Sequence, residues 1–461
     1  MIISLDKYNA SGGTKVEGDI AISENGIYDV TTYATANVNV QPSDNYSYFD
    51  GVIDVEGLRA IGWDDESIGY FRDNDRHYAW QNSDYIVSEE NKALYGVVTQ
   101  LTQLKNYPEL VFAPKIQITT SIAPTIFTNC KSLKAIPKIF FPNLRLLTDM
   151  FRGCSSLTTI PLLNTSNITG MSGMFSDCSS LTSIPQFDTS KVTSMTYMLQ
   201  YCTALISIPF LDTSNVTNMT RMFAGCSSLI SIPQLDTSKV TNMNSIFDGC
   251  KSLTTMPLLD TSKVTNMNSM FRNCSSLTTI PLLDTSKVTD MNSMFYGCSS
   301  LTSIPQFDTS NVESIDFWLY NCTNITEVNS FNLSKISDFG DSGYSSAFYG
   351  IKNLITIGEL QCDNLTNIGS FLYYTNEKLI NFGGIKNLGM QPTLSGTSGS
   401  AFMKNMPNLT YESVLNVLNG LYDRASAGYS MVTLKMHANH MALLSDEDIS
   451  IATSKGWTLT A

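Results

Sequence analysis

Nine of the ten cysteines in this chain stand at positions 130, 154, 178, 202, 226, 250, 274, 298 and 322, one every 24 residues. A spacing held this long constrains the fold more tightly than any composition does. A typical unit reads "LDTSKVTNMNSMFRNCSSLTTIPL", residues 259–282. With the cysteine as zero, apolar side chains recur at plus 3 (Leu157, Leu277), plus 6 (Ile160, Ile280), plus 9 (Leu163, Phe187) and plus 14 (Val192, Val288). They recur again at plus 17 (Met195, Met291), plus 20 (Met174, Met294) and plus 21 (Phe175, Phe295), with Ser, Thr, Asn and Lys filling most of the remainder. One such unit is too small to cover its own apolar side chains, so each must be closed by a neighbour.

A period of about 20–29 residues with Leu and Ile at fixed places predicts a repeat solenoid of leucine-rich type. Its coils hold 24 residues and short parallel strands, with equivalent side chains about 4.8 Å apart. "SLTTI" and its equivalents read as a strand that stops at Pro137, Pro161, Pro185, Pro209, Pro233, Pro257, Pro281 and Pro305, because proline has no N–H for a ladder. "KVTNM" reads as a second strand. "MNSMFRN" reads as a helical or 3₁₀ turn, with a Gly or polar residue before the cysteine.

The period divides the chain. Residues 130–322 are regular repeats, preceded by an entry segment over 96–129. From Cys322 the register loosens: Gly350-Ile351 replaces Gly-Cys, Cys362 is off-register, and Leu354, Leu379 and Leu409 survive as echoes. Residues 323–410 are therefore read as irregular coils. A solenoid needs caps over its open ends, and 411–461 supply an α/β pattern. There "YESVLNVLNGLYDRA" suits a helix, "MVTLKM" a strand, "SDEDISIATSKG" a Ser-capped helix with a Gly stop, and "WTLTA" a last strand.

Residues 1–95 differ in kind. They carry 6 Lys and Arg against 17 Asp and Glu, so −11 of the net −13 lies there and the repeats are nearly neutral. An acidic chain with neutral coils offers no basic face, which argues against nucleic acid and against docking on an anionic membrane. "DIAISENGIYDVTTYATANVNVQP" (19–42) alternates around Asn25-Gly26, a hairpin pattern, and "LRAIGWDDESIGYFRDN" (58–74) suits a short amphipathic helix. Together they predict a small β-rich module apart from the stack. No basic, apolar leader of signal-peptide form and no membrane-length apolar run is recognisable.

Little in the chain suggests catalysis or a cofactor. Stacked cysteines about 4.8 Å apart are too widely set for a disulfide, which wants Cβ atoms at roughly 3.5–4.5 Å, and paired C-x-x-C spacing is absent. They read as buried thiols. A second ladder, Asp188, Asp212, Asp236, Asp260, Asp284 and Asp308, stacks carboxylates that repel by roughly 0.8 kcal/mol per pair even in water. Asx turns onto the following Ser or Lys would compensate, helped by Lys191, Lys239, Lys263 and Lys287; a row of Ca²⁺ ions is the other reading. His437 and His440 lack a third metal ligand, and with only three histidines no catalytic set forms. A paired-acid hydrolase stays open because acids are plentiful.

What varies between coils is the surface. The plus-8 column reads Lys138, Leu162, Gln186, Phe210, Gln234, Leu258, Leu282, Gln306. Plus 19 includes Tyr197, Arg221 and Phe317, and plus 22 includes Arg152, Arg272, Tyr296 and Tyr320. Exposed Tyr and Arg suit a binding face, so the candidate residues are Gln186, Tyr197, Phe210, Arg221, Gln234, Arg272, Tyr296, Gln306 and Tyr320. Drift of an unconstrained surface explains the same variation.

The recurring D-T-S-[KN]-V-T, M-F-x-x-C and S-L-T-x-I-P elements resemble the repeats of BspA-like leucine-rich surface proteins, closely over about 125–335 and loosely to 460. The C-terminal segment is similar to ends found on such proteins in gut bacteria and their phages. "ISENGIYDVTTYATANVNV" and "LRAIGWDDESIGYFRDN" resemble segments in structural proteins of phages infecting gut Bacteroidales. The resemblance implies a non-enzymatic adhesion or host-recognition protein without cofactor or metal, whose partner is a cell-surface protein or glycan. It implies a virion surface, with residues 1–95 joining other virion proteins. A bacterial surface or extracellular adhesin is the alternative, a glycan hydrolase comes last, and homo-oligomerisation stays open.

Overall fold

The computed structural model describes residues 22–23, 26–27, 106 and 125–461, apart from 137–138, 140, 142, 340–346, 369–370, 373–376, 396–402 and 404–405. The expected module over 1–95, the entry segment up to 124, Pro137 and Lys138 thus lie outside the described residues, save for one short pair of strands. There β1 (Ile22–Ser23) pairs antiparallel with β2 (Gly26–Ile27).

The chain divides into two compact units, residues 1–192 with 201–211, and residues 193–200 with 212–461. In each, coils stack in register and the predicted columns are buried. Cys154, Leu157, Ile160, Leu163, Ile168, Met171, Met174 and Phe175 represent the first unit, and Cys274 to Phe295 at the same offsets represent the second. Like packs on like. Phe127, Phe151 and Phe175 stack at 5.4 and 5.7 Å in the first unit, and Phe223, Phe247, Phe271 and Phe295 at 5.7 to 5.8 Å in the second. These offset stacks add to the burial of large apolar area.

The backbone explains why the period cannot slip. In the first unit the N–H groups of Leu147, Asp149, Phe151 and Gly153 donate to the carbonyls of Gly170, Ser172, Met174 and Ser176 on the next coil, at 2.8 to 2.9 Å. The intervening N–H groups of Met150, Arg152 and Cys154 fold back on Leu147, Asp149 and Phe151. The second unit repeats this alternation at Met267, Ser269, Phe271 and Asn273. A helix would spend every N–H within its own coil. Here half of them are needed by the neighbour, so the stretch expected to be a helical or 3₁₀ turn is instead a run of interlocked turns.

Those turns require left-handed residues twice per coil. At the position before each cysteine stand Gly153, Asp177, Tyr201, Gly225, Gly249, Asn273, Gly297 and Asn321, all with positive φ, mostly residue types that tolerate it. Four positions earlier the same conformation falls on Tyr197, Arg221, Ser245, Ser269, Ser293 and Phe317, with φ from 54° to 59°. Each of these costs roughly 1–2 kcal/mol and is held by the bonds above and below.

The SLTTI stretch is bridged at Ser303–Glu327, and the strand expected over KVTNM shrinks in the regular coils to single bridges. One joins Leu146 to Gly170 in the first unit; in the second they run Ser194, Asn218, Asn242, Asn266, Asp290, Ser314. Two-residue strands appear only later: β3 (Glu327–Val328), β4 (Phe331–Asn332), β5 (Thr356–Ile357), β6 (Leu360–Gln361), β7 (Asn381–Phe382) and β8 (Ile385–Lys386). They form two parallel three-stranded sheets, β3-β5-β7 and β4-β6-β8. The cause is the plus-7 residue. Regular coils have proline there, whereas the irregular ones have Gly358 and Gly383, whose N–H groups donate to Val328 O and Ile357 O at 2.8 Å. Restoring the donor restores the strand.

Beyond the coils come α1 (Tyr411–Gly420), β9 (Val432–Lys435), α2 (Ala438–Met441), α3 (Asp446–Ser454) and β10 (Trp457–Thr460), with β10 parallel to β9. Thr410 caps α1 by accepting from Ser413 N, and Ser445 with Asp448 forms a capping box on α3. Helix α1 lies beside β7 and β8. Ser413 Oγ accepts from Phe382 N at 2.9 Å, and Asn416 Nδ2 donates to Phe382 O at 3.3 Å. The helix therefore meets the backbone groups that another coil would otherwise meet.

Candidate functional site

The cysteines set the electrostatics of the interior. All ten are free and buried. From Cys154 to Cys322 each ladder thiol donates to a phenylalanine or leucine carbonyl 27 residues earlier, as Cys178 does to Phe151 O at 3.1 Å and Cys274 to Phe247 O at 3.1 Å. Burial pushes the Cys178 and Cys274 thiols well up, reinforced by the neighbouring cysteines, and lifts Cys298 to about 12. Such thiols are inert packing groups rather than nucleophiles.

The aspartate ladder folds into Asx turns. Asp236 Oδ1 accepts from Ser238 N at 3.0 Å and Ser238 Oγ at 2.7 Å, and Asp188, Asp212, Asp284 and Asp308 repeat the pattern. The serine hydroxyl and then the serine N–H hold Asp188, Asp236, Asp260, Asp284 and Asp308 below the usual carboxylate range. The lysines help as expected, Lys191, Lys239, Lys263 and Lys287 adding a smaller pull in the same direction, while the Lys191 and Lys239 amines donate to Asn167 and Asn215 on the preceding coil. The threonine of each D-T-S is buried; Thr237 donates to Asp260 O at 2.9 Å and Thr261 to Asp284 O at 2.8 Å, as Thr213, Thr285 and Thr309 do to their own carbonyls, whereas Thr189 Oγ1 has no partner among the described residues.

His437 and His440 each take a structural place. His437 Nδ1 caps α2 by accepting from Asn439 N at 3.1 Å, while His440 is fully buried and burial lowers it to about 4. Among the described residues no group of three or more His, Cys, Asp or Glu could hold a metal ion.

The nine candidate binding residues fall into three columns. In the plus-8 column, Gln186, Gln234 and Gln306 are exposed, yet each amide Nε2 donates to a carbonyl of the next coil, at Phe210, Leu258 and Ser330. Phe210 is 59% exposed, alongside Leu162, Leu258 and Leu282 at their own levels. The glutamines thus brace the stack as well as facing water.

The plus-19 and plus-22 columns bring the rest together. Arg221 lies over the Tyr197 ring at 6.0 Å. In the second unit Arg272 lies over Tyr296 at 5.3 Å, Tyr296 stacks on Tyr320 at 4.7 Å and 1°, and Tyr320 stacks on Tyr349 at 4.4 Å and 2°. Phe317 closes edge-on against Tyr320 at 5.5 Å. Asp248 faces Arg272 at 3.8 Å; its burial raises its carboxyl while Arg272 and Arg221 pull it back. The row ends at a pocket of about 630 Å³ lined by Tyr320, Tyr349, Lys352, Glu377 and Lys378 among others. Sequence reading missed Tyr349, which an insertion places off the 24-residue grid.

Over residues 124–230, 204–280 and 254–354 the chain matches the family described as "Mycoplasma protein of unknown function, DUF285". Together these spans run from 124 to 354, half of the 461 residues. The chain belongs to this family. The DUF285 matches cover the regular coils and the longer coil that carries Tyr349, ending just past Ile351. Among solved structures, the chain is similar to a leucine-rich cell surface protein from Faecalibacterium prausnitzii, at 22% identity and TM-score 0.39, over 62% of this chain and 82% of that one. It is also similar to a leucine-rich repeat protein from Bacteroides ovatus, at 18% identity and TM-score 0.31, over 60% and 83%. A search of curated proteins finds no match.

Proposed function

We propose that this DUF285 protein is a non-enzymatic repeat protein that binds a surface ligand through side chains its coils present to solvent. The observation that carries the reading is the row Arg272, Tyr296, Tyr320 and Tyr349. Core columns stay apolar from coil to coil, while this one changes to the residue types that dominate binding hot spots. The ligand class is a cell-surface protein or a glycan, and the setting is a surface. By the resemblance of its N-terminal segments that setting is a virion, to which residues 1–95 attach, with a bacterial envelope as the alternative.

The test is attachment of the labelled full chain to intact cells, compared with an Arg272→Ala, Tyr296→Ser, Tyr320→Ser variant whose thermal unfolding is checked first. Thr255→Ala, at an exposed position outside every candidate column, serves as the control. Attachment lost in the triple variant and kept in the control supports the reading; equal attachment by all three sinks it. Mass spectrometry of purified particles against envelope fractions decides the setting.

A further inference from the structure

Between Cys322 and Ile351, which occupies the cysteine position, the chain is five residues longer than the 24-residue period. Insertions in a repeat array map to one face, often the binding face. Here the longer coil carries Tyr349 and opens the pocket of about 630 Å³, within the roughly 300–1,000 Å³ of small-molecule sites. Its walls are the parallel rings of Tyr320 and Tyr349 with apolar neighbours, and its polar groups are Asn321, Lys352, Glu377 and Lys378. Lys378 Nζ is positioned by the Asn353 side-chain carbonyl at 2.5 Å, a neutral partner. Among the described residues no ion pair engages Lys352, Glu377 or Lys378. Among the described lining residues two ammonium groups stand against one carboxylate, a locally cationic lining on a chain of net charge −13.

From this arrangement we infer that the pocket binds an acidic saccharide, a pyranose bearing a carboxylate. The inference rests on the surface-binding reading above and names its ligand class. Ring edges and phenol hydroxyls meet the mixed C–H and O–H faces of a sugar, Asn321 and Glu377 pair its hydroxyls, and Lys352 and Lys378 meet its carboxylate. A peptide dock is disfavoured by the backbone around the pocket. Leu319 N donates to Ala347 O and Asn321 N to Tyr349 O, at 2.7 and 2.8 Å, so recognition runs through side chains and not by adding a strand.

Calorimetry on the full chain tests it, with sialyllactose and trigalacturonate as acidic probes and lactose as the neutral control. The acidic probes bind at least roughly tenfold more tightly than lactose, a preference that fades with salt. A Lys352→Gln, Lys378→Gln variant loses that preference, and Glu377→Gln strengthens it. Lactose binding as tightly as sialyllactose, or a preference untouched by the double variant, overturns the inference. If no saccharide binds while cells are still captured through the tyrosine row, the ligand class falls and surface binding stands. If capture also fails, both fall.

Discussion

Replacing Arg424 by methionine removes a cation that the structure buries without a carboxylate beside it. Arg424 is fully buried. Its guanidinium donates to Gly389 O at 2.7 Å, Gln391 O and Pro392 O at 2.9 Å, and Ser430 O at 3.1 Å. It also lies 5.4 Å from the Tyr429 ring and 5.9 Å from the Trp457 ring. The carbonyls belong to the last irregular coil and to the loop before β9, so one side chain joins these two segments. Methionine fills most of the volume but leaves four acceptors without donors, each worth about 1–3 kcal/mol if it stays dry. Pro392 is exposed and Gln391 half-buried, so water recovers those two and the dry pair dominates. The expected loss is about 3–5 kcal/mol, a large share of the roughly 5–15 kcal/mol of a typical domain. Arg424→Lys keeps the charge with fewer, differently aimed donors and falls between. Trp457 is buried, with Nε1 donating to Tyr422 O at 3.0 Å, so denaturant unfolding followed by tryptophan fluorescence reads this region. A midpoint for Arg424→Met within about 1 kcal/mol of the parent protein would show that the carbonyl cage is decoration.

Acid should loosen the coils through the aspartate ladder. Folded-state pKa values of Asp188, Asp236, Asp260, Asp284 and Asp308 are depressed. Their stabilisation is therefore complete above the unfolded value near 3.9 and is lost as pH falls through the lower folded values. Asp→Asn at these positions keeps the turn, as Asn164 already does with Ser166 N at 3.2 Å, and should flatten the acid limb of stability against pH while leaving neutral pH little changed. All ten cysteines should resist iodoacetamide in the native protein and react in denaturant, followed by intact mass; rapid native labelling would contradict their burial. Gly358→Pro should cost about 3 kcal/mol or more by deleting the donor to Val328 O, whereas Pro281→Gly should cost under about 1 kcal/mol. Equal costs in thermal unfolding would refute the account of strand formation.

What sequence could and could not foretell follows from who a residue's neighbours are. Core columns were legible because each coil packs against copies of itself, so Met174 or Phe271 announces its environment by recurrence alone. Strand length was not, because it depends on whether one backbone N–H exists at plus 7 and on how alternate N–H groups are shared between coils, a pairing that side-chain periodicity does not encode. Asx turns at Asp236 and its equivalents were readable since donor and acceptor sit two residues apart. Arg424 was not, since its four acceptors lie as far as 35 residues away in backbone carbonyls that every residue possesses. Tyr349 escaped for a third reason: it stacks on Tyr320 at the coil spacing, yet stands 29 residues along the chain. Recurrence therefore reveals the scaffold and hides its exceptions. In a stack whose core positions are fixed by self-packing, those exceptions are also where side chains are free to differ. The insertion before Ile351, where period, ring stack and pocket meet, is accordingly the place in which two members of this family with the same coils would diverge most in what they hold.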